Sequence, residues 1–216
     1  EKELARQYPE LEFIRPAGEA VYRVKGLTGP LILKRAVQHF ASRAALDIDT
    51  LGEKNVEALV DAGLVKDLAD IYLLKREDII KLERFADVST DNLLKAIASK
   101  RRPPLNRFIY GLGIRHVGAQ TAVDLANHFK RFDNLGTATY DELRGINGVG
   151  EIVAESILAW FADEDNEQLL AKFRRIGVWP DEVKHIGGKL AGKKFAITGS
   201  LEGMGRDLAA EKIRSL

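Results

Sequence analysis

The chain has 216 residues and no cysteine, which excludes disulfides and thiolate-bound metal ions. Its four histidines are scattered without the spacing of metal ligands, so no metal site is expected. No stretch approaches the ~20 consecutive apolar residues of a membrane-spanning helix. The first four residues lack the basic and then apolar order of a signal peptide. We therefore expect a protein with no membrane partner and a cytoplasmic location.

The sequence also lacks a large excess of charge of either sign. Thirty-three lysines and arginines oppose 32 aspartates and glutamates, for a net charge of +1, so nucleic-acid binding must be local rather than spread over a basic surface. The strongest basic cluster is Lys100-Arg101-Arg102, with Arg107 and Arg115 beyond it. Such a cluster is compatible with phosphate contacts and with an ordinary solvated face. With 45% apolar and 30% charged residues, the chain is typical of soluble globular proteins with room for two domains.

Two glycines, Gly148 and Gly150, flank Val149 and precede a helical pattern. Glycine has no Cβ, so this loop can turn tightly and leave its N–H groups unobstructed. Apolar residues follow at helical spacing from Val153 to Phe161, which predicts a helix that begins near Glu151. The first N–H groups of a helix have no partner within it and attract phosphate. Taken alone, a Gly-Val-Gly sequence is also typical of an ordinary turn.

The same pattern occurs four times, at intervals of 34, 32 and 32 residues, centred on Leu51, Phe85, Val117 and Val149. Three positions before each centre stands an apolar residue: Ile48, Leu82, Ile114 and Ile146. Directly after it comes a small residue: Gly52, Ala86, Gly118 and Gly150. Five positions after the centre comes a small or branched residue: Val56, Thr90, Ala122 and Ala154. An apolar pair follows each of these residues. A repeat of this period is typical of stacked helical units, so each unit is predicted to be a helix, a hairpin and a second helix.

The repeated unit resembles the helix-hairpin-helix family, whose hairpin binds the sugar-phosphate backbone of DNA without reading base sequence. The resemblance implies that the hairpin N–H groups and the positive end of the helix dipole face a phosphate. It also implies a mainly α fold of tandem helix-hairpin-helix repeats. The residues alone leave open a helical bundle with tight turns and no ligand, because these residue types are also common in ordinary turns.

A closer resemblance covers nearly the whole chain. The segments similar to the C-terminal part of bacterial NAD-dependent DNA ligases are Gly18 to Arg23, Leu33 to Arg43, Leu46 to Lys54, Asp61 to Val65 and Leu112 to Gly118. The resemblance implies a zinc-finger-like segment over residues 1–32, a helix-hairpin-helix DNA-binding domain of four units over residues 33–184, and the beginning of a BRCT domain over residues 185–216.

The first of these segments departs from that family. Where the family has a four-cysteine zinc finger, this sequence has other residues, namely Tyr8, Leu11, Val24 and Gly29. Zinc binding is therefore not expected here. The runs 8–14 and 20–24, on either side of a turn at Pro16-Ala17-Gly18, predict a small β-hairpin held by a hydrophobic core.

Further elements are predicted outside the hairpins. Helices are expected from Gly29-Pro30 onward, over residues 105–111, and over residues 167–176 after a polar cap that begins at Asp163 and before Gly177. Residues 190–201 are predicted to form a strand and its turn, and residues 206–216 a helix. These two elements resemble the opening of the α/β BRCT domain, which we expect to be incomplete here because only its first strand and helix are present.

The four hairpins are expected to differ in their grip on DNA. The third and fourth keep their glycines, whereas the second has Arg84 and Ala86, and alanine does not adopt positive φ readily. We expect the second hairpin to pack rather than bind. For the same reason, a side chain at position 118 or 150 is expected to strain the turn and cover its N–H groups. The predicted DNA-binding residues are Gly52, Lys54, Asn55, Arg115, His116, Gly118, Gln120, Asn147, Gly148 and Gly150.

No constellation of nucleophile and base is evident, so no catalytic residue is predicted. The family that the chain resembles uses a lysine adenylated in a Lys-x-Asp-Gly motif, and that string is absent. The resemblance implies non-sequence-specific duplex DNA binding as part of an NAD-dependent DNA ligase that seals nicks in replication and repair. NAD and magnesium would serve the parent enzyme and not this chain. Nicked double-stranded DNA and the remaining N-terminal portion of the ligase would be the partners.

Three alternatives remain open at this point. One is the helix-hairpin-helix module of a repair nuclease or of a junction-binding accessory protein. A helix-hairpin-helix glycosylase would need an acidic or basic catalytic residue just after its hairpin, for which Asp124 is the nearest candidate. A purely structural helical bundle is the third.

Overall fold

The structure is a computed structural model that describes residues 29–183, 195–198 and 203–214, together with Arg6, Pro9, Phe13–Ile14 and Arg23–Val24. The chain divides into two compact units, Glu1–Glu182 and Val183–Leu216. Each unit is described by itself below.

Near the start of the first unit, two short strands pair in antiparallel fashion. Strand β1 (Phe13–Ile14) lies beside β2 (Arg23–Val24), with Phe13 opposite Val24. The hydrophobic core predicted around Tyr8 and Leu11 lies outside the described residues.

Residues 29–182 of the first unit are mainly helical, as predicted. Its α-helices are α1 (Pro30–Ala41), α2 (Glu53–Asp61), α3 (Arg76–Ile79), α4 (Asp87–Ser99), α5 (Leu105–Gly111), α6 (Ala119–Phe129), α7 (Phe132–Gly136), α8 (Tyr140–Arg144), α9 (Glu151–Phe161) and α10 (Glu164–Arg175). A 3₁₀ helix, η1 (Leu68–Leu73), connects the first helix pair to the second. The mainly α fold of helix-hairpin-helix units is thus confirmed.

Local sequence signals explain several helix boundaries. Gly29 has a φ of 109°, and Pro30 begins α1 because its fixed φ suits the first helical position. Helix α10 begins three residues earlier than predicted, since the Asp163 side chain accepts a hydrogen bond from the N–H of Asn166. At α8, Thr139 and Glu142 form a capping box, and the hydrogen bond from the Thr139 backbone lowers the pKa of Glu142.

The helices form four consecutive pairs, each joined by one of the predicted hairpins. The pairs are α1 with α2, α3 with α4, α5 with α6, and α8 with α9. The small or branched residue of each repeat lies at the centre of the pair and is fully buried, as seen for Val56, Thr90, Ala122 and Ala154. A small side chain at this position allows the two helix backbones to approach each other.

Thr90 differs from its three counterparts because its hydroxyl is buried and has no hydrogen-bond partner among the described residues. An unpaired buried polar group costs about 1–3 kcal/mol, and valine has the same shape without the hydroxyl. We expect Thr90→Val to raise the free energy of unfolding by about 1 kcal/mol, measured from urea denaturation. Thr90→Ala should be less stable than Thr90→Val because it leaves a cavity. A lower urea midpoint for Thr90→Val than for the wild type would contradict this interpretation.

A cluster of aromatic side chains joins the first helix pair to the third. Phe40 of α1, Tyr72 of η1, Phe108 of α5 and Phe173 of α10 lie with neighbouring ring centroids 5.5 to 6.5 Å apart. Three of these rings, those of Phe40, Phe108 and Phe173, are completely buried. Residues far apart in the sequence therefore share one core, which fixes the hairpins relative to one another within this unit.

One ion-pair cluster ties α10 to η1 at the edge of this core. The Lys172 ammonium lies 2.5 Å from Asp67 and 2.6 Å from Asp70. Partial burial acts to lower the pKa of Lys172, but its hydrogen bonds to Asp67 and Asp70 raise it overall. Asp67 also caps η1, since it accepts hydrogen bonds from the N–H groups of Ala69 and Asp70.

In the second unit, helix α11 (Arg206–Arg214) lies where a helix was predicted. The strand predicted over residues 190–201 is not seen in its described part, because Phe195 to Thr198 pair with no other described residue as a strand. A strand needs a neighbour to hydrogen-bond its backbone. The remaining residues of that predicted strand lie outside the described residues.

Candidate nucleic-acid interface

All four hairpins are closed by the same backbone hydrogen bond. The N–H of the central residue donates to the carbonyl three positions earlier, as from Val149 to Ile146 at 3.0 Å and from Val117 to Ile114 at 3.0 Å. The corresponding distances are 3.3 Å in the first hairpin and 2.9 Å in the second. The central residues themselves are buried, so each turn is anchored by one apolar side chain.

Three of these turns require a left-handed residue directly before the centre. Thr50, His116 and Gly148 have φ values of 68°, 63° and 85°, respectively, whereas Arg84 does not have positive φ. A positive φ at the third residue of a hydrogen-bonded turn is the signature of a type II turn. The second hairpin therefore has a different turn, and the residue that distinguishes it is Arg84 rather than Ala86. That this hairpin packs rather than binds DNA stays a prediction.

The expected role of glycine at positions 118 and 150 needs correction. Gly52, Gly118 and Gly150 are helix N-caps with φ near −80°, which any residue can adopt. A Cβ added at any of the three meets no atom within 4 Å. The prediction that a side chain there strains the turn is therefore wrong, because the positive φ lies two positions earlier. A side chain at these positions would project from the turn next to the helix N–H groups.

Uncapped N–H groups distinguish the first, third and fourth hairpins. No acceptor in the described part of the chain bonds the N–H of Gly52, Gly118 or Gly150, and none of these residues receives a side-chain cap. In the second hairpin, by contrast, the Ala86 N–H donates to the Ser89 hydroxyl at 2.9 Å. Three hairpins thus present unpaired donors on the surface, and the second satisfies its donor internally.

Charged side chains next to the hairpins also separate the second hairpin from the other three. Arg76 forms ion pairs with Asp87 and Asp91 at the start of α4, so a carboxylate lies beside the second hairpin. Helix α6 has no acidic residue in its first turn, whereas α2 and α9 begin with Glu53 and Glu151. Because an anion at a helix N-terminus is repelled by a nearby carboxylate, the third hairpin offers the most favourable electrostatics.

The predicted site residues lie on the surface of these three hairpins. Asn55 is half-buried and the other nine are exposed. Lys54, Arg115 and His116 make no hydrogen bond or ion pair with any described residue. Asn55 instead donates to the carbonyl of Thr50 at 2.7 Å, and so supports the first turn. Gln120 donates to Asp124 at 3.0 Å within α6.

Two arginines of the basic cluster predicted from the sequence, Arg101 and Arg107, bond backbone carbonyls of the fold. The Arg101 guanidinium donates to the carbonyls of Ile176 and Tyr72, at 2.7 and 3.2 Å. Arg107 donates to the carbonyls of Arg43 and Ala45, both at 3.2 Å. Of the original cluster, Arg115 alone lies on a hairpin. The sequence alone does not reveal these carbonyl acceptors, because each lies about 30 residues or more along the chain from its arginine.

We predict that the left-handed conformation of Thr50 costs stability. This conformation is unfavourable by roughly 1–2 kcal/mol for a non-glycine residue, and glycine adopts it without strain. Thr50→Gly is expected to raise the free energy of unfolding by a few tenths to about 1 kcal/mol, since added freedom in the unfolded chain offsets part of the gain. Gly148→Ala, at the equivalent position, should have the opposite sign. Equal signs in urea denaturation would contradict the assigned turn geometry.

The repeated helix pairs and their hairpins define a tandem helix-hairpin-helix protein. A family model described as a helix-hairpin-helix motif matches residues 107–170, which include the third and fourth hairpins. Among curated proteins, the chain is 47% identical over 203 residues to a DNA ligase of Trichlorobacter lovleyi, which covers 93% of this chain and 30% of that protein.

Two other DNA ligases have similar identity to this chain. A DNA ligase of Syntrophotalea carbinolica is 43% identical, and one of Coxiella burnetii 44% identical, each over 204 residues, or 94% of this chain and 30% of the relative. The chain is thus similar to DNA ligases over nearly its whole length, and it spans about 30% of the length of the relatives that it matches. The resemblance to DNA ligases inferred from the sequence is confirmed.

Within the described residues, no three histidine, cysteine or carboxylate side chains are grouped closely enough to hold a metal ion. Of the helices in the part of the chain that the structure describes, none is long and apolar enough to span a membrane.

Proposed function

We propose that this chain binds duplex DNA through its backbone phosphates, without reading base sequence, as part of an NAD-dependent DNA ligase that seals nicks in replication and repair. The observation that carries the proposal is the set of unpaired N–H groups at the first, third and fourth hairpins. N–H donors at a helix start favour phosphate, and phosphate contacts carry no direct sequence information. The similarity to DNA ligases supports the same assignment.

The site residues divide by role in this proposal. Gly52, Gly118 and Gly150 leave the N–H groups uncovered, while Gly148 permits the fourth turn. Arg115 and Lys54 supply positive charge, and exposed polar side chains at the hairpin tips add hydrogen bonds: His116, Gln120 and Asn147. Asn55 acts on the first turn rather than on the ligand.

The sealing reaction is assigned to the rest of the ligase, which we propose as a partner together with nicked duplex DNA. The family uses NAD and magnesium, but this sequence has no Lys-x-Asp-Gly motif to accept adenylate. The described residues also lack a group of three side chains suited to an ion. We therefore assign no step of the reaction to a cofactor on this chain.

This assignment predicts that the 216-residue chain alone does not react with NAD. Incubation with NAD labelled in its adenylate group should leave the protein unlabelled, since the accepting lysine motif is absent. The full-length ligase of a relative serves as the positive control. Transfer of label to any lysine of this chain would overturn the assignment.

DNA binding is tested by fluorescence anisotropy with labelled duplexes of equal length. We expect two unrelated sequences to bind with equal affinity, because backbone contacts do not distinguish bases. An intact and a nicked duplex compared in the same assay measure any preference for the nick. No detectable binding to either duplex, or strong dependence on base sequence, would contradict the proposal.

A further inference from the structure

The fourth hairpin contains a side-chain contact that the other three do not make with any described residue. Arg144, the last residue of α8, donates from Nη1 to the carbonyl oxygen of Val149 at 3.2 Å. We infer that Arg144 is a positioning residue that orients the N–H of Gly150 toward a bound phosphate. This inference rests on the proposed function, because it concerns the phosphate site at this hairpin.

The peptide bond between Val149 and Gly150 fixes the direction of this N–H relative to the carbonyl. The carbonyl of Val149 and the N–H of Gly150 belong to one planar trans peptide, so they point in opposite directions. Holding the carbonyl toward Arg144 directs the N–H away from it. The Val149 side chain is only 3% exposed, which anchors the same peptide on its other side. In the described part of the chain, that N–H has no acceptor and is available to a ligand.

The composition of the fourth hairpin explains why it needs such a contact. Glycine stands on both sides of Val149, and glycine restricts the rotation of adjacent peptides least. The first and third hairpins instead have Thr50 and His116 before their centres. Rotation of the Val149–Gly150 peptide would turn the N–H away from the ligand and present a carbonyl oxygen, which repels phosphate.

The equivalent positions in the other units cannot make this contact. Five residues before each centre, the sequence has apolar residues: Leu46, Ile80 and Leu112. Leu46 and Leu112 are buried in the core. Among the described hairpins, only the fourth has its central carbonyl bonded by a side chain. Arg144 thus compensates for the flexibility of the Gly-Val-Gly sequence.

The test compares Arg144→Met, which removes the donors, with Arg144→Lys, which keeps one charged donor. In the protein without DNA, NMR should show that Arg144→Met shifts the Val149 carbonyl resonance and speeds exchange of the Gly150 amide. Affinity for duplex DNA should fall roughly two- to tenfold, as expected for loss of one hydrogen bond. Arg144→Lys should restore part of both effects, and Arg84→Ala is the matched control.

The salt dependence separates positioning from direct contact. If Arg144 acts through the peptide, the slope of log affinity against log salt stays unchanged in Arg144→Met. A slope smaller by about 0.9 with unmoved Val149 and Gly150 resonances would show a direct phosphate contact and overturn the inference. Unmoved resonances with unchanged affinity would also overturn it. If the wild-type protein binds no DNA, the proposed function fails, and the resonances still decide whether Arg144 orients the peptide.

Discussion

Phe108→Ala is expected to destabilise the first unit by about 3–5 kcal/mol, the usual cost of removing a buried phenylalanine. Phe108 is completely buried, and its ring contacts those of Phe173, Phe132 and Trp179 with centroids 5.5, 5.3 and 5.9 Å away. It also meets Phe40 of the first helix pair. Its loss would therefore weaken the contact between the first and third helix pairs as well as leave a cavity.

Chemical denaturation followed by circular dichroism measures this loss. Phe108→Leu should cost less, because leucine fills more of the space and leaves a smaller cavity. Total stability of a domain is only about 5–15 kcal/mol, so Phe108→Ala is expected to lower the melting temperature markedly. A change below about 1 kcal/mol would show that the aromatic cluster does not hold the helix pairs together.

Serine at positions 118 and 150 is expected to weaken DNA binding without harming the fold. Serine is a favoured N-cap whose hydroxyl accepts a hydrogen bond from the first-turn N–H groups, and the added Cβ meets no atom within 4 Å. The double variant Gly118→Ser, Gly150→Ser should therefore be slightly more stable than the wild type. Because hydrogen bonds to a charged group are worth about 1.5–3 kcal/mol, each blocked hairpin should cost roughly ten- to a hundredfold in affinity.

Because the double serine variant is expected to be more stable and yet to bind DNA more weakly, its loss of affinity cannot be attributed to unfolding. Gly118→Val and Gly150→Val should also weaken binding, but valine is a poor N-cap and reduces stability slightly. In the second hairpin a serine occupies a different donor, since Ser89 in the first turn of α4 bonds the N–H of the N-cap residue Ala86. Ser89→Ala frees that N–H but leaves Asp87 and Asp91 beside it, so this control variant should leave affinity unchanged. If the double serine variant is folded and binds duplex DNA as the wild type does, the hairpins are only turns.

The repeated unit was predictable from the sequence because its strongest requirements are local. An apolar residue three positions before the hairpin centre and a small residue five positions after it follow from helix geometry, which places them in the interface. The buried positions of Ile114 and Ala122 illustrate both requirements. The helix starts at Glu151 and Leu105 were found for the same reason.

Backbone conformation and long-range contacts were not predictable in this way. Thr50 and His116 both adopt positive φ, although this conformation is uncommon for non-glycine residues and especially unfavourable for the β-branched threonine, so residue types alone do not reveal it. The carbonyls that bind Arg101 and Arg107 are contributed by distant residues that meet only after the helices pack. Arg144 is close to its acceptor in sequence, but the direction of a carbonyl cannot be inferred from residue types alone.

The most direct test of the central claim is the salt dependence of duplex binding. Phosphate contacts release counterions, so the logarithm of affinity should fall linearly with the logarithm of salt concentration, by about 0.9 for each phosphate neutralised. We expect Arg115→Ala, on the third hairpin, to reduce this slope by about 0.9 and Arg84→Ala, on the second, to leave it unchanged. A wild-type affinity independent of salt, or equal slopes for the wild type and both variants, would contradict phosphate binding by these hairpins.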